Sequence, residues 1–284
     1  MKRTILFAVL LSLLAVSACT SNKAPERQGW DNESDGPLYG DVESVTFIGY
    51  KLTDKFGEII KDGIGDKKVY KFNQQGNVIE KARYNSDGSL EYKVLYKYDS
   101  QGHKIEAARY YSDGSLSEKI LYKYDSQGNK IERARYYSNG SLDYKHLYKY
   151  GSKGNKIEVT GYFSDGSLWE KYLYKYDSKG NVIEEAEYNR YGLLYDKDLY
   201  KYDSQGHKIE RARYYSNGSL DYKHLYKYDS KGNKIEAARY NSDGSLSKKY
   251  LYKYDSKGNW IEETRYEGET MKPTSMIVRE IVYR

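Results

Sequence analysis

The residues of this 284-residue chain best suited to chemistry are carboxylates that recur at a fixed spacing. Paired carboxylates are typical of glycoside-hydrolysing sites. Catalysis, however, needs one unique, desolvated arrangement, whereas this column holds eight equal copies. We therefore predict that it supplies cross-strand partners for lysines and that the chain is not an enzyme. The column, one glutamate every 26 residues, consists of Glu80, Glu106, Glu132, Glu158, Glu184, Glu210, Glu236 and Glu262.

The four histidines follow the same spacing. His103 and His207 stand at turn positions usually held by asparagine, and His146 and His224 share a variable strand column. Their separations of 104 and 78 residues are multiples of 26, so we interpret them as duplicated copies and predict no metal site and no cofactor. The sequence also lacks a glycine-rich phosphate loop, a nucleophile elbow and a metalloprotease motif.

The pattern breaks in the fourth and fifth repeats, which become more aromatic and acidic. An arginine column changes to Gly161 and then to Glu187. Aromatic rings can stack on sugar rings, and carboxylates accept hydrogen bonds from hydroxyl groups. Drift in one copy, or a bend in the wall, is the alternative explanation. The candidate ligand-binding residues are Phe163, Trp169, Glu185, Glu187, Tyr191 and Asp196.

The element that must position these residues is a 26-residue unit copied about eight times. An unbroken period of this length indicates one supersecondary unit whose core is completed by its neighbours. Residues 90–98 and 104–110 alternate as two strands, and Gly102 and Gly114 mark the two turns. The Tyr-Lys-Tyr or Tyr-Lys-Phe core of the unit begins at Tyr70, Tyr96, Tyr122, Tyr148, Tyr174, Tyr200, Tyr226 and Tyr252.

The strand register follows from the assumed loop lengths. A four-residue first loop and a two-residue Asp-Gly turn place Ile105 and Ala107 on the face of Tyr96, and they set Arg109 opposite Glu118. The alternative, a three-residue first loop, would waste burial and bring like charges together. We prefer the first register.

We predict an all-β fold, an antiparallel meander of 26-residue β-hairpins coiled into a curved, superhelical or barrel-like sheet. The chain holds 36 tyrosines against five phenylalanines, so the tyrosine-rich face is expected to point inward. Open sheets of more than about ten strands usually curl or close. A lipid-spanning barrel is not predicted, because lysines of every repeat would face hydrocarbon or fill the lumen.

The N-terminus predicts export and lipidation. Lys2 and Arg3 precede an apolar run at 5–14 that is too short to span a bilayer. Residues 16–19 resemble a bacterial lipobox ending at Cys19, the single cysteine, so no intrachain disulfide can form. An ordinary signal peptide with a chance cysteine is the alternative. No acidic residue directly follows Cys19, which favours an outer-membrane lipoprotein on the periplasmic face or the cell surface.

These signals divide the chain into a signal peptide (1–18), a lipidated cysteine with a flexible tether (19–39), an atypical capping hairpin (40–67), eight repeats (68–266) and a closing strand (267–284). Trp30 in the tether is either idle or docked on the first strands. In the closing strand, Arg279 and Glu280 are expected to form a charged edge that resists pairing.

The repeat resembles a known family. Its Tyr-Asp-x-x-Gly-Asn/His motif, with Tyr-x-x-Asp-Gly-x-Leu following, is similar to the YD repeat of bacterial RHS-type proteins and, more loosely, to MORN-like repeats, over residues 68–266. The chain looks closer to short repeat lipoproteins of Bacteroidota-type bacteria than to the large RHS proteins. The resemblance implies β-hairpins coiled into a shell, structural roles for Tyr96, Tyr98, Asp99 and Gly102, and a link to carbohydrate binding.

Together these observations predict a surface-anchored, non-catalytic binding module. Its expected partners are the membrane, through Cys19, and a carbohydrate or a host or neighbouring protein. A purely structural or assembly scaffold of the envelope is the alternative. The formal charge is +6 and the charges alternate in sign, so no nucleic-acid partner is predicted.

Overall fold

The structure is a computed structural model that describes Trp30 and residues 35–268 and 272–284. Predictions for residues 1–29, namely the signal peptide, lipidation of Cys19 and the first part of the tether, lie outside the described residues. Among the described residues there is no helix with the length and apolar character needed to cross a bilayer.

The described chain folds as eighteen β-strands joined by short turns. The repeats give pairs of strands of about equal length, and the terminal strands are longer. The strands are β1 (Val42–Lys55), β2 (Glu58–Phe72), β3 (Val78–Tyr84), β4 (Leu90–Tyr98), β5 (Lys104–Tyr111), β6 (Leu116–Tyr124), β7 (Lys130–Tyr137), β8 (Leu142–Tyr150), β9 (Lys156–Phe163), β10 (Leu168–Tyr176), β11 (Val182–Asn189), β12 (Leu194–Tyr202), β13 (Lys208–Tyr215), β14 (Leu220–Tyr228), β15 (Lys234–Asn241), β16 (Leu246–Tyr254), β17 (Trp260–Glu267) and β18 (Lys272–Tyr283).

The sheet closes on itself. Each strand pairs antiparallel with its sequence neighbours, and β1 pairs with both β2 and β18. The predicted all-β meander of hairpins is confirmed, and its curvature takes the form of a closed barrel. Barrels of about 16–18 strands leave an aqueous channel between their walls, so this ring of eighteen strands encloses a lumen.

Closure overturns one prediction. Arg279 was expected at a charged sheet edge, but β18 pairs on both sides and has no free edge. The Arg279 side chain is only 2% exposed, and its guanidinium lies 5.2 Å from the Trp30 ring centroid and 4.8 Å from the Trp260 ring centroid. Burial lowers the pKa of Arg279 to about 10. Arg279 is therefore part of the interior.

Both turns of a repeat are three-residue loops. The Gly102 N–H donates to the Asp99 carbonyl at 3.1 Å, and the Asp99 N–H donates to the His103 carbonyl at 3.0 Å. Gly102 has a φ of 85°, the left-handed conformation that ends such a loop. The 111–115 turn repeats this pattern around Gly114. The predicted four-residue loop and two-residue Asp-Gly turn are therefore wrong.

A β-bulge then restores the predicted facing of the side chains. Tyr98 pairs with Lys104, and Lys97 pairs with Glu106, so Ile105 is an extra residue with no partner on β4. The shorter loop and the bulge offset each other. Equivalent register shifts follow the corresponding turns of the other repeats.

The predicted side-chain placement is consequently right at most positions. Ala107 lies opposite Tyr96, and Arg109 lies opposite Glu118, as expected. Ile105 does not share this face, because the bulge leaves its side chain 37% exposed. The prediction for Ile105 is wrong for that reason alone.

The outer face of the barrel is charged. Lys97 Nζ lies 2.9 Å from Glu106 Oε1, and these two columns pair in the same way in all eight repeats. The glutamate column thus has the predicted role of a cross-strand partner for lysines. The other pairs, at 2.7–2.9 Å, are Lys71–Glu80, Lys123–Glu132, Lys149–Glu158, Lys175–Glu184, Lys201–Glu210, Lys227–Glu236 and Lys253–Glu262.

A short N-terminal segment packs on the opposite, tyrosine-bearing face. Trp30 is 7% exposed and lies 5.1 Å from Tyr70 and 5.9 Å from Phe47, measured between ring centroids. Leu38 is fully buried, and the Trp260 indole N–H donates to the Asp35 carbonyl at 2.7 Å. Side chains from different strands of a closed wall converge only on its concave side. The tyrosine-bearing face therefore lines the lumen. Trp30 is therefore docked, and the predicted flexible tether is wrong for Trp30 and residues 35–39.

Candidate binding surface inside the barrel

The second tyrosine of each Tyr-Lys-Tyr core links two adjacent strands of the inner wall by a hydrogen bond. The Tyr124 hydroxyl donates to the Lys104 carbonyl at 2.8 Å, and the Tyr150 hydroxyl donates to the Lys130 carbonyl at 2.9 Å. Each such bond contributes about 1 kcal/mol. This is the structural role that the YD-repeat resemblance implies for Tyr98. The same bond is made by Tyr98, Tyr176, Tyr202, Tyr228 and Tyr254.

The turn aspartate is also structural. Asp99 Oδ1 accepts hydrogen bonds from the Gln101 and His103 N–H groups, both at 2.9 Å. His103 Nδ1 lies 3.1 Å from Asp99 Oδ2, and its ring stacks on Tyr124 with centroids 4.7 Å apart. His207 repeats this arrangement with Asp203. These two histidines therefore serve the turns.

The first tyrosine of each core faces the lumen beside a lysine. Lys104 Nζ lies 4.7 Å from the Tyr122 ring centroid, and Lys130 Nζ lies 4.6 Å from the Tyr148 ring centroid. Burial lowers the pKa of both lysines to about 8. Half-buried rings thus alternate with cations along the inner wall.

The inner wall contains open clefts between successive tyrosine pairs. One cleft of about 310 Å³ is bounded by the Tyr174/Tyr176 and Tyr200/Tyr202 pairs. A second, of about 320 Å³, opens beside the N-terminal segment. Both have the mixture of aromatic and polar groups typical of ligand sites. The second is lined by Tyr226, Tyr228, Tyr252, Tyr254, Trp260, Lys208, Lys234 and Glu263, among others.

Two of the predicted binding residues meet in an aromatic cluster at one rim. The ring centroids of Phe163 and Trp169 are 5.9 Å apart. Trp169 also lies 5.0 Å from Tyr144 and 5.5 Å from His146. The structure therefore brings together the aromatic part of the predicted site, with two rings that were not predicted to belong to it.

A histidine–glutamate pair extends this cluster across three strands. His146 Nε2 on β8 lies 2.9 Å from Glu170 Oε1 on β10. Gly161 on the intervening β9 leaves the necessary space, because a Cβ there would lie 3.1 Å from both His146 Nε2 and Glu170 Cγ. The Tyr172 hydroxyl donates to Glu170 Oε2 at 3.0 Å. This pair has no copy elsewhere in the described repeats, since Arg239 and Lys248 hold the matching positions beside His224.

Sequence reasoning missed His146 and Glu170, although a signal was present. The arginine column breaks at Gly161, which pairs with His146 on one side and with Glu170 on the other. Such a break marks space made for a contact between non-adjacent strands. The 26-residue period hid this signal, because His146 was interpreted only as a copy of His224.

The predicted carboxylates Glu185 and Glu187 both face the lumen. Glu185 accepts hydrogen bonds from the hydroxyls of Tyr174 and Tyr200, each at 3.0 Å. Burial raises the pKa of Glu187, and the nearby carboxylates of Asp196 and Glu170 raise it further.

The third predicted carboxylate, Asp196, is held in an ion pair. It is 6% exposed and accepts a bond from Arg213 Nε at 3.0 Å. Its neighbour Asp198 accepts two bonds from Arg211, at 2.8 and 2.9 Å. Tyr191 lies in the turn between β11 and β12, where its ring is 70% exposed and the Arg190 guanidinium lies 4.8 Å from it.

No group of three or more metal-ligating side chains occurs in the described part of the chain.

The chain shows only limited similarity to known proteins. No protein family and no curated protein matches the sequence. A porin-like protein from Bacteroides uniformis is 10% identical with a TM-score of 0.44, over 85% of this chain and 96% of that one. A porin-like protein from Bacteroides vulgatus is 12% identical with a TM-score of 0.32, over 86% and 98%. The TcdB2–TccC3–Cdc42 complex is 13% identical with a TM-score of 0.23, over 80% and 16%. The YD-repeat resemblance therefore rests on its motif.

Proposed function

We propose that this chain is a non-catalytic, envelope-anchored binding protein whose barrel lumen takes up a glycan. The observation that carries the proposal is the inner wall itself, where half-buried tyrosine rings border open clefts of about 310 and 320 Å³. A scaffold would instead be expected to pack its inner face completely. The clefts therefore favour binding over the purely structural alternative.

A glycan fits the chemistry of this wall. Sugar rings offer apolar faces for aromatic stacking and hydroxyls for hydrogen bonds. Tyr174 and Tyr200 supply rings on either side of one cleft, and Glu185 and Lys208 supply an acceptor and a donor between them. Because the units recur every 26 residues, similar subsites follow one another around the lumen.

Anchoring is proposed through lipidation of Cys19. That residue precedes the first described residue, Trp30, by only eleven positions. The barrel would then lie close to the outer membrane, on its periplasmic face or at the cell surface. Its charged outer face is suited to contact with water.

One observation favours hydrolysis as a second candidate. The Tyr172 hydroxyl interacts with both Glu170 and Glu187, and the pKa of Glu187 is raised by burial, Asp196 and Glu170. Two neighbouring carboxylates, one of them with a raised pKa, are the kind of pair that can act as acid and base. Binding remains the preferred function because the other candidate carboxylates, Glu185 and Asp196, are engaged by hydroxyl or guanidinium groups.

The test is a glycan-array screen of the chain from Thr20 onward, which contains all eighteen strands. We expect binding to be reduced about tenfold in Trp169→Ala or Tyr200→Ala, since loss of one stacked ring costs about 0.5–1.5 kcal/mol plus its buried area. Tyr188→Ala, on the outer face of the same wall, is the matched control and should bind as the wild type.

The two inner variants locate the site. Loss in Trp169→Ala alone assigns it to the rim cluster, and loss in Tyr200→Ala alone assigns it to the repeated clefts. Silence of the wild type across neutral and acidic glycans would reject binding in favour of a scaffold. Release of reducing ends by the wild type but not by Glu187→Gln would replace binding with hydrolysis.

A further inference from the structure

Lysines and carboxylates are concentrated on different strands along part of the inner wall. On β5, β7 and β9, the position opposite the second core tyrosine holds Lys104, Lys130 and Lys156. Strands two apart lie about 10 Å from each other, so these lysines form a ladder with about that spacing. From β10 to β13 the wall is instead rich in carboxylates, as described for Glu170, Glu185, Glu187, Asp196 and Asp198.

Three cations of this wall lack a carboxylate partner in the part of the chain that the structure describes. Within the described residues, Lys104, Lys130 and Arg133 form no ion pair, and the nearest groups to their charges include one another. The Arg133 guanidinium donates instead to the Tyr144 hydroxyl at 3.2 Å. Arg135 already binds the lumen-facing carboxylate of Glu118, since its Nε–H donates to Glu118 Oε2 at 2.8 Å.

Uncompensated cations facing a half-buried site are unfavourable until an anion binds. Burial lowers the pKa of Lys130 to about 8, and the charges of Lys104, Lys156 and Arg133 act in the same direction. The lysines Lys97 and Lys123 of the outer face, in contrast, are each matched by a glutamate. Lys104, Lys130 and Arg133 therefore place positive charge on this wall with no carboxylate bound to them.

We propose that the wall formed by β5, β7 and β9 recognises acidic glycans, with sugar carboxylates bound between Lys104, Lys130 and Arg133. The inference rests on the proposed glycan-binding function and names its ligand class. Tyr122 and Tyr148, which lie beside these lysines, offer rings for the sugars that carry the carboxylates. A ladder with regular spacing suits an extended chain that bears a uronic acid at every second sugar.

The experiment compares an oligosaccharide of alternating uronic acid with its carboxyl-reduced, neutral form of equal length, by titration calorimetry. The wild type should bind the acidic form at least tenfold more tightly, which corresponds to about 1.4 kcal/mol. The Lys104→Gln/Lys130→Gln variant should lose that preference. The Lys97→Gln/Lys123→Gln variant removes the same charge from the outer face, and it should retain the preference.

Each other outcome has its own meaning. Equal binding of both oligosaccharides, unchanged in the inner variant, overturns recognition of the carboxylate and leaves lumen binding intact. Failure of both, together with a silent glycan array, overturns the proposed function as well. Binding of inorganic sulfate as tightly as the acidic oligosaccharide reduces the site to a small-anion site and overturns the glycan assignment. Circular dichroism of both variants confirms that each is folded.

Discussion

Two copies of one histidine acquire different environments in this barrel. His146 reaches Glu170 through the space left by Gly161, whereas His224 faces Arg239 across the next strand. Burial lowers the pKa of His224 to about 4, and the charges of Arg211 and Arg239 add to the effect, opposed by Asp198. Identical local sequence therefore does not give identical chemistry, because the partner lies one or two strands away.

The His224 environment predicts a pH-dependent stability. The folded-state pKa of about 4 lies below the ordinary value of 6.5, so between these values the unfolded chain binds a proton that the folded chain does not. The free energy of unfolding should fall as the pH drops through that window. His224→Tyr, the residue type found in the same column at Tyr172 and Tyr250, should lose less stability between pH 7 and pH 4.5.

The expected difference is on the order of 1 kcal/mol, allowing for solvent screening of a half-buried ring. Urea unfolding of wild type and variant at both pH values measures it. An equal loss in the two proteins would mean that His224 is protonated in the folded barrel.

At the scale of the element, the hairpin is defined by two irregularities that offset each other. The period, the alternation and the turn glycines predicted the strands, the meander and the pairing of Arg109 with Glu118. The same signals did not predict the bulge at Ile105, because a glycine turn is compatible with loops of three or four residues. The three-residue loop alone, or the bulge alone, would not keep each side chain on its predicted face. The sequence offers no local marker of their combination.

Deleting the bulge residue Ile131 tests this account. In β7 it stands between the pairs Tyr124–Lys130 and Lys123–Glu132, so its removal would make these two pairs consecutive and leave Lys130 and Glu132 on their present faces. We expect the variant to fold, with a loss of about 1–2 kcal/mol from the change in local strand twist.

Ile131→Ser is the matched control, since its side chain is 38% exposed and the register is kept, and it should cost less than about 1 kcal/mol. Urea unfolding compares the two proteins. Failure of the deletion variant to fold, with Ile131→Ser close to the wild type, would show that the bulge itself is needed for the strand pairing.

At the scale of the molecule, ring closure determines what the repeats can do. Sequence patterns predicted a curved or barrel-like sheet but left it open or closed, since closure depends on long-range pairing of β1 with β18. The candidate site was predicted only in part, because its contacts also depend on pairing between strands. Phe163 and Trp169 are close in sequence and meet, whereas Glu170 contacts His146 across the intervening strand β9.

Closure also predicts the effect of removing one unit. Deleting residues 99–124 joins Tyr98 directly to Asp125 and removes β5 and β6, which leaves sixteen of eighteen strands. An even number keeps β1 antiparallel to the last strand, so the variant should fold with native-like β-sheet circular dichroism and a smaller hydrodynamic radius.

Deleting residues 99–111 is the contrasting variant. It removes β5 alone, leaves seventeen strands and would make the closing pair parallel. We expect it to aggregate or to remain unfolded. A folded monomer from this variant would show that the seam between β1 and β18 is dispensable.

The identity of residues 133–150 and 211–228 has a consequence for inheritance. Tandem copies so alike are natural partners for unequal crossing-over, and each exchange in register adds or removes whole 26-residue units. Every such event changes the strand number by an even number, which is six for an exchange between these two copies 78 residues apart, and leaves a ring that can still close. The circumference of the barrel is therefore a quantity that recombination can adjust in discrete steps, without a new fold having to evolve.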